Sequence, residues 1–345
     1  MAPFRVTLAD VARRAGVSRT TASFVLSGRT DMRISPDAQR RVHEAAAELG
    51  YRPNQTARSL RTHVTRTIGL ISDTIATTQF AGEVIHGALD TALERDYLLL
   101  VAETSGDPVA EKKLVDEMLD RQVDAVVYAM MYTKPGHPPG SLSGLPVVVL
   151  NGIEESFGGP RILPDELGGG RTAARALVDA GHRDGIYAIG GRHRTPEAPD
   201  GVYAGRLRMQ GVDEVLADAG TSIAGAYECA WEPEHGYDGM LSLLDDGHRP
   251  KALVCLNDRL ALGAYQAMQE RGLRVPDDVS VVSFDDSDLA SWLRPALTSV
   301  ALPHYELGKT AVATLLDGTS ERRLVAVPMP LRSRDSIRMV PATAG

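Results

Sequence analysis

A set of polar side chains in this sequence follows directly on short apolar runs. Ser72 and Asp73 follow the run 68–71, Asn151 follows 147–150, and Asn257 and Asp258 follow 253–256. Asp285 and Asp286 follow 281–284, and the run 186–189 leads through Gly190-Gly191 to Arg206-Leu-Arg208. The segment 226–230 ends in Trp231. Carboxylates and carboxamides form paired hydrogen bonds with hydroxyls, an arginine adds a fixed fork of donors, and an indole offers a face for stacking. Together they suit a small polar ligand such as a sugar. Asn and Asp also end strands simply because they make turns. One such position therefore says little, and several together predict a common cleft.

The sequence offers no comparable case for catalysis. Gly308-Lys-Thr310 resembles the end of a phosphate loop, but Pro303 stands where that loop needs its first glycine. Gly168-Gly-Gly170 opens a helical stretch without dinucleotide-binding spacing, so it reads as a helix entry. No Gly-x-Ser-x-Gly, His-Glu-x-x-His or Cys-x-x-Cys occurs. The nine histidines are scattered, and His182 and His193, flanking a strand, are expected at the surface. Cys229 and Cys255 are too few for a disulfide framework and read as reduced thiols. The expectation is a chain that is not an enzyme and has no cofactor or metal.

These residues need elements to position them. From residue 68, apolar runs at 68–71, 98–102, 125–128, 147–150, 186–189, 252–256 and 279–284 alternate with helical stretches at 81–95, 108–121, 167–180, 205–219 and 258–271. Strands that are apolar throughout and separated by helices predict parallel sheets covered on both faces. Their number predicts two doubly wound lobes, with a (β/α)₈ barrel as the competing architecture. In open sheets of this kind ligands bind beyond the carboxyl ends of the strands, where the polar set lies. The 345 residues are 43% hydrophobic and 24% charged, which excludes a disordered or fibrous chain. No apolar run approaches a membrane span, and no secretion signal opens the chain. A cytoplasmic protein is expected, with no membrane partner.

The net charge of −8 hides an asymmetry. Residues 1–66 carry 12 Arg, no Lys and 5 acidic residues, a balance of +7, against −15 in the remainder. A basic head on an acidic body suggests a nucleic-acid-binding module. Within the head, Thr7 can cap a helix with Leu8, Val11, Ala12 and Ala15 on one face, and Gly16 stops it. Ser18 can cap a second helix, residues 19–26, ended by Gly28. Two short helices joined by Gly16-Val-Ser18 make a helix-turn-helix pattern. Ser35 and Pro36 start a third helix with Val42, Ala45, Ala46 and Leu49 as its apolar stripe. Residues 52–61 are helix-compatible with almost no apolar face, too short to be stable alone in water.

Four blocks carry a family resemblance: Thr7-Leu-Ala-Asp-Val-Ala-x-x-Ala-Gly-Val-Ser, Leu49-Gly-Tyr-x-Pro-Asn-x-x-Ala-Arg-x-Leu60, Leu256-Asn-Asp-x-x-Ala-Leu-Gly263 and Val275-Pro-x-Asp-Val-Ser-Val-Val-x-Phe-Asp-Asp286. In order and spacing the chain resembles the LacI/GalR family of bacterial transcription regulators. The last two blocks are shared with periplasmic sugar-binding proteins. The resemblance implies an all-α helix-turn-helix N-terminal domain plus an α/β periplasmic-binding-protein-like core of two doubly wound lobes. The implied layout is residues 1–61 for the DNA-binding domain with a hinge helix at 53–60, a linker at 62–67, and a core at 68–345. The N-lobe would hold 68–164 and 301–324, and the C-lobe 165–300 and 325–345. The chain would cross between lobes near 163–165, 300–304 and 323–326.

The same resemblance implies which residues meet double-stranded operator DNA. Arg19 and Thr20 would face base edges in the major groove, and Thr7, Ser18, Thr21 and Ser23 would make phosphate or positioning contacts. Phe24 departs from the polar or basic residue common there; its ring would touch a thymine methyl or pack inward, with packing expected. Arg33 would reach a base or a phosphate. Asn54, Gln55, Ala57 and Arg58 would belong to the minor-groove contact of the hinge helix, with Leu60 wedging a central base step. Two copies would pair there, ordering only on DNA.

In the core the resemblance places Asp73, Phe80, Asn151, Arg208, Trp231, Asn257 and Asp285 around a small-molecule effector, expected to be a sugar. The family's usual Asn-Pro-Phe-Phe stretch reads Thr78-Gln79-Phe80 here, and Asn151 stands where Asp is common, so effector identity does not carry over. The implied function is a homodimeric regulator, a repressor by expectation, that binds a palindromic operator under allosteric control by the effector. The rivals are a sugar-binding transport-type protein, which has no use for the basic head, and an α/β enzyme acting on a sugar. On this reading, replacing either Arg208 or Asp285 by alanine spares DNA binding and abolishes the effector response.

Overall fold

The computed structural model describes residues 6–27, 33–52, 64–78, 82–191, 203–319 and 321–341. The chain divides into two units, Met1–Thr65 and Arg66–Gly345.

The first unit is helical: α1 (Leu8–Ala15), α2 (Arg19–Leu26) and α3 (Pro36–Glu48). Their starts are the ones the sequence predicts, because Thr7, Ser18 and Ser35 each accept a backbone N–H from the first turn. Gly16 ends α1 at φ 66°, which lets the chain turn sharply into α2. The end of α2 is capped by Ser27; Gly28, the predicted stop, lies outside the described residues. Val11, Ala12, Ala15, Ala22, Val25, Val42, Ala45 and Ala46 form the unit's small core.

The second unit contains two six-stranded sheets among the described residues. The first is ordered β11 (Leu324–Val327), β5 (Arg161–Pro164), β4 (Val147–Gly152), β3 (Ala125–Lys134), β1 (Thr67–Ser72), β2 (Leu98–Glu103). The second is ordered β12 (Leu331–Arg332), β10 (Thr298–Ala301), β9 (Ser280–Asp285), β8 (Ala252–Cys255), β6 (Ile186–Ile189), β7 (Gly225–Tyr227). Every pairing is parallel except the short β10–β12 contact. Two separate open sheets replace the competing closed barrel.

The covering helices are α4 (Gly82–Glu94), α5 (Pro108–Asp120), α6 (Glu166–Asp179), α7 (Ala204–Asp218), α8 (Pro233–Asp245), α9 (Asp258–Glu270), α10 (Asp288–Trp292) and α11 (His304–Leu316). In each sheet the first strand lies between its two successors, β1 between β2 and β3, β6 between β7 and β8. The strand order therefore reverses at β1 and β6, the points where such sheets open a crevice for ligands.

The chain leaves the first sheet after Pro164, returns from the second after Ala301, and crosses again after Val327. The third crossing falls at residues 328–330, a few residues later than the expected 323–326. The reason is that Leu324–Val327 still pairs along β5, from Leu324 opposite Arg161 to Val327 opposite Pro164.

The triple glycine now has a physical reason. A Cβ at Gly170 would stand 2.0 Å from the backbone oxygen of Arg208, and one at Gly211 would stand 2.2 Å from that of Leu167. Helices α6 and α7 thus touch backbone to backbone, and the Arg208 side chain is carried against α6. Gly308, of the failed phosphate-loop motif, does the same for α11 and α4, with Val84 O at 1.9 Å. Both glycine motifs serve helix packing.

Candidate functional site

On the first unit, α2 presents an exposed or half-exposed row. Arg19 and Thr20 are exposed; Thr21, Ser23 and Phe24 are half-buried, while Ala22 and Val25 turn inward. Arg19 and Arg33 are exposed and enter no ion pair among the described residues. By contrast Arg13, Arg14, Arg40 and Arg41 pair with Asp10, Glu48, Asp37 and Glu44 within the unit. Arg19 stands in the first turn of α2, whose N-terminal backbone N–H groups favour an anion. Ser18 Oγ accepts from Thr21 N–H at 3.0 Å and lies 2.8 Å from Thr21 Oγ1. Thr7 and Asp10 close a reciprocal box, with Thr7 N–H donating to Asp10 at 3.0 Å. Thr7 thus fixes the start of α1, and Ser18 with Thr21 the start of α2. Asn54, Gln55, Ala57, Arg58 and Leu60 lie outside the described residues.

On the second unit, the strand-end residues gather at the carboxyl edges of both sheets. Arg208 is 1% exposed. Its Nε donates to Glu166 Oε2 at 2.7 Å, and its Nη1 donates to Leu256 O at 2.6 Å and to Asp285 Oδ1 at 3.3 Å. The guanidinium also lies 4.7 Å from the ring centre of Phe284 and 5.3 Å from that of Trp231. Burial alone would lower the Arg208 pKa, yet the carboxylates of Glu166 and Asp285 raise it, so the cation is secure. Burial pushes the Glu166 carboxyl up against the pull of Arg208. Trp231 Nε1 donates to Gly190 O at 3.0 Å, which fixes the indole over the end of β6.

Asp285 is presented by an unusual backbone. It has φ 98° and Asp286 has φ 52°, non-glycine conformations that cost on the order of 1–3 kcal/mol each. On the opposite wall Asn151 also takes a positive φ, 62°. Its Nδ2 donates to Met130 O at 2.7 Å, while its buried Oδ1 finds no donor among the described residues. Ser72 Oγ is likewise buried without a partner there. Asp73 is held tightly: Met131 N–H donates to one carboxylate oxygen at 2.8 Å and Lys134 Nζ to the other at 2.7 Å. The same pair borders a pocket of about 230 Å³ lined also by Thr104, Glu111 and Tyr128. Phe80 lies outside the described residues.

Asn257 behaves differently from its neighbours. It is fully buried, its Oδ1 caps α9 by accepting from Leu260 N–H at 2.8 Å, and its Nδ2 donates to Trp231 O at 3.2 Å. Both ends of its amide hold local structure, including the backbone of the stacking residue.

Against this geometry stand the comparisons with known proteins. Residues 7–54 match the model of bacterial regulatory proteins, lacI family, and residues 174–337 match that of a periplasmic binding protein-like domain. The ribose operon repressor of Haemophilus influenzae is 35% identical over 312 residues, covering 90% of this chain and 91% of that protein. The chain belongs to the LacI family. This LacI-family regulator is also 33% identical over 345 residues to the HTH-type transcriptional repressor PurR of Aliivibrio fischeri, covering 96% and 98% of the two chains. Among solved structures it is similar to a lac repressor dimer bound to operator and the anti-inducer ONPF, with TM-score 0.75, 26% identity and coverage of 97% and 99%. It is similar too to a CelR–cellobiose complex, with TM-score 0.63, 28% identity and coverage of 96% and 100%. No helix among the described residues is long and apolar enough to cross a membrane.

Several residues of the LacI-family core escaped the sequence reading. Glu166, 3% exposed, anchors Arg208; it follows β5, a strand of four residues containing Arg and Pro that carries little strand signal. His304 follows β10 and opens α11, where burial lowers its pKa and the charges of Asp285, Arg208 and Glu83 act on it. His182, expected at the surface, is buried, where the segment around Arg338 and Val340 packs beside it. His193 lies outside the described residues.

Proposed function

We propose that this regulator is a homodimeric repressor, not an enzyme, that binds a palindromic operator and responds to a small sugar held between the two sheets. The observation that carries the effector reading is the Arg208–Asp285 pair. A buried, permanently charged fork fixes a partly exposed carboxylate beside an indole face. A carboxylate held in this way accepts from vicinal hydroxyls, and the unpartnered Asn151 Oδ1 and Ser72 Oγ would take further hydroxyl donors from the facing wall. The names of the ribose repressor, CelR–cellobiose and lac repressor relatives support a sugar. The effector acts as inducer or corepressor according to which arrangement of the core it binds more tightly.

Asp285→Asn tests this directly. It keeps the side chain's shape and removes its charge, so operator binding without effector should be unchanged. The sugar concentration needed for half-maximal response should rise about 10- to 100-fold, the worth of a hydrogen bond to a charged group. The measurement is titration of an operator–protein complex, its operator chosen by selection from random DNA, with D-ribose, D-galactose and cellobiose. An unchanged response, or no response by the parent to any sugar, would dismiss the effector reading.

The dimer rests on a separate surface. Leu89 and Leu93, one turn apart on α4, are 37% and 58% exposed, and Leu98 and Val101 on β2 are 56% and 41% exposed. Strand β2 ends its sheet, so its outer edge is unpaired there. An apolar strip beside a free strand edge suits a second copy of the chain, and the lac repressor neighbour is a dimer. Leu93→Asp should give monomers in sedimentation and weaken operator binding while the circular dichroism spectrum stays that of the parent.

A further inference from the structure

We propose that Asp258 is a positioning residue whose buried carboxylate clamps the loop that presents Asp285. Asp258 opens α9 and is 1% exposed. One oxygen accepts from Ser299 Oγ at 2.8 Å and from Ser283 Oγ. The other accepts from Ser287 N–H at 2.7 Å and Ser287 Oγ at 2.9 Å. Ser299 Oγ in turn accepts from Asp286 N–H at 2.9 Å. The carboxylate therefore reaches both ends of the Asp286–Ser287 step, directly at Ser287 and through Ser299 at Asp286.

That step is where support is needed. Asp285 and Asp286 hold left-handed backbone conformations that L-residues with side chains avoid, and such a loop persists only when its surroundings fix it. Strands β9 and β10 supply Ser283 and Ser299 as donors and the loop supplies Ser287, so a single carboxylate at the start of α9 ties the loop to three elements. The second tether is an ion pair, Arg334 to Asp286 at 2.6 Å, with Arg332 at 3.6 Å. The charge of Asp285 on β9 acts on Asp258, and Asp258 in turn adds to the burial that holds the Cys255 thiol on β8 up. Burial, and then the charge of Asp285, push the Asp258 carboxyl up to about 6. A protonated carboxyl must place its own hydrogen among four donors, so one clamp bond is lost as the pH falls through that value.

The relevance of the clamp to an effector rests on the function proposed above, but the clamp itself is tested without one. Hydrogen exchange of the full chain is followed by mass spectrometry on the segment holding Asp286 and Ser287, with β6 and β8 as references. In Asp258→Asn the loop amides should exchange about 10-fold faster, the references staying unchanged. In the parent, exchange corrected for the intrinsic rate should speed up as pH falls through about 6, and this step should vanish in the variant. Unchanged loop exchange in the variant, equal acceleration of the references, or a pH step that persists would overturn the proposal. Should Asp258→Asn not fold, Ser287→Ala, which removes one of the four donated bonds, should speed loop exchange about 3-fold. That variant and the parent's pH step then decide. Failure here leaves the contact of Asp285 with a sugar standing, and failure of the sugar titration leaves the clamp standing.

Discussion

An Arg208→Ala chain should lose about 3–5 kcal/mol of stability, because it leaves the Glu166 carboxylate buried without its cation. Glu166 is 3% exposed and its near partner is the Arg208 Nε at 2.7 Å. The expectation from sequence, that Arg208→Ala spares DNA binding and silences only the effector response, is therefore revised: this side chain supports the second sheet as well as the cleft. Urea unfolding of the parent and variant measures the loss. A companion experiment separates the charge from the packing. Arg208→Met together with Glu166→Gln removes both ions and keeps most of the volume, and should recover the larger part of the lost stability. If Arg208→Ala unfolds at the parent's urea concentration, the buried pair contributes nothing to the fold, and the guanidinium is held for the ligand alone.

Replacing Arg19 by alanine should flatten base preference. The residue is exposed at the first turn of α2 and has no ion pair among the described residues to satisfy it. An arginine so placed in the major groove takes a guanine edge in two hydrogen bonds, worth about 1–3 kcal/mol of discrimination per half-site. A dimer on a palindrome has two half-sites, so the preference for operator over scrambled DNA should fall about 30-fold or more. Fluorescence anisotropy at fixed salt, on a selected operator and a scrambled duplex, reads the ratio. Ser18→Ala is the contrast. It removes a helix cap and a phosphate-facing hydroxyl, so it should weaken both duplexes alike. Equal weakening by Arg19→Ala would make Arg19 a phosphate contact and move base reading elsewhere on the head.

Much of the architecture was legible because its strands are short, apolar throughout and bounded by turn residues. Where that signal weakens, so does the reading. Strand β5 contains Arg161 and Pro164, β7 spans Gly225–Tyr227 and β12 spans Leu331–Arg332; these take their place in a sheet from neighbours that only the fold supplies. The rule that ligand groups follow strands brought Asp73, Asn151, Arg208, Trp231 and Asp285 to the sheet ends. It did not say which of two adjacent polar residues holds structure. Asn257 spends both ends of its amide on a cap and on the backbone of Trp231, and Asp258 spends its carboxylate on a loop.

The interleaving of the two sheets has a consequence for engineering ligand preference. The first sheet takes β11 and the covering helix α11 from the far side of the second, so neither lobe is one continuous stretch of sequence. A chimaera joined at residue 165 would combine the early strands of one parent with the closing strand and helix of another, across packing that evolved separately. Exchange of whole bodies at the boundary between Thr65 and Arg66 keeps each pair of sheets with its own partners. Sensors recombined from this family are therefore best cut there.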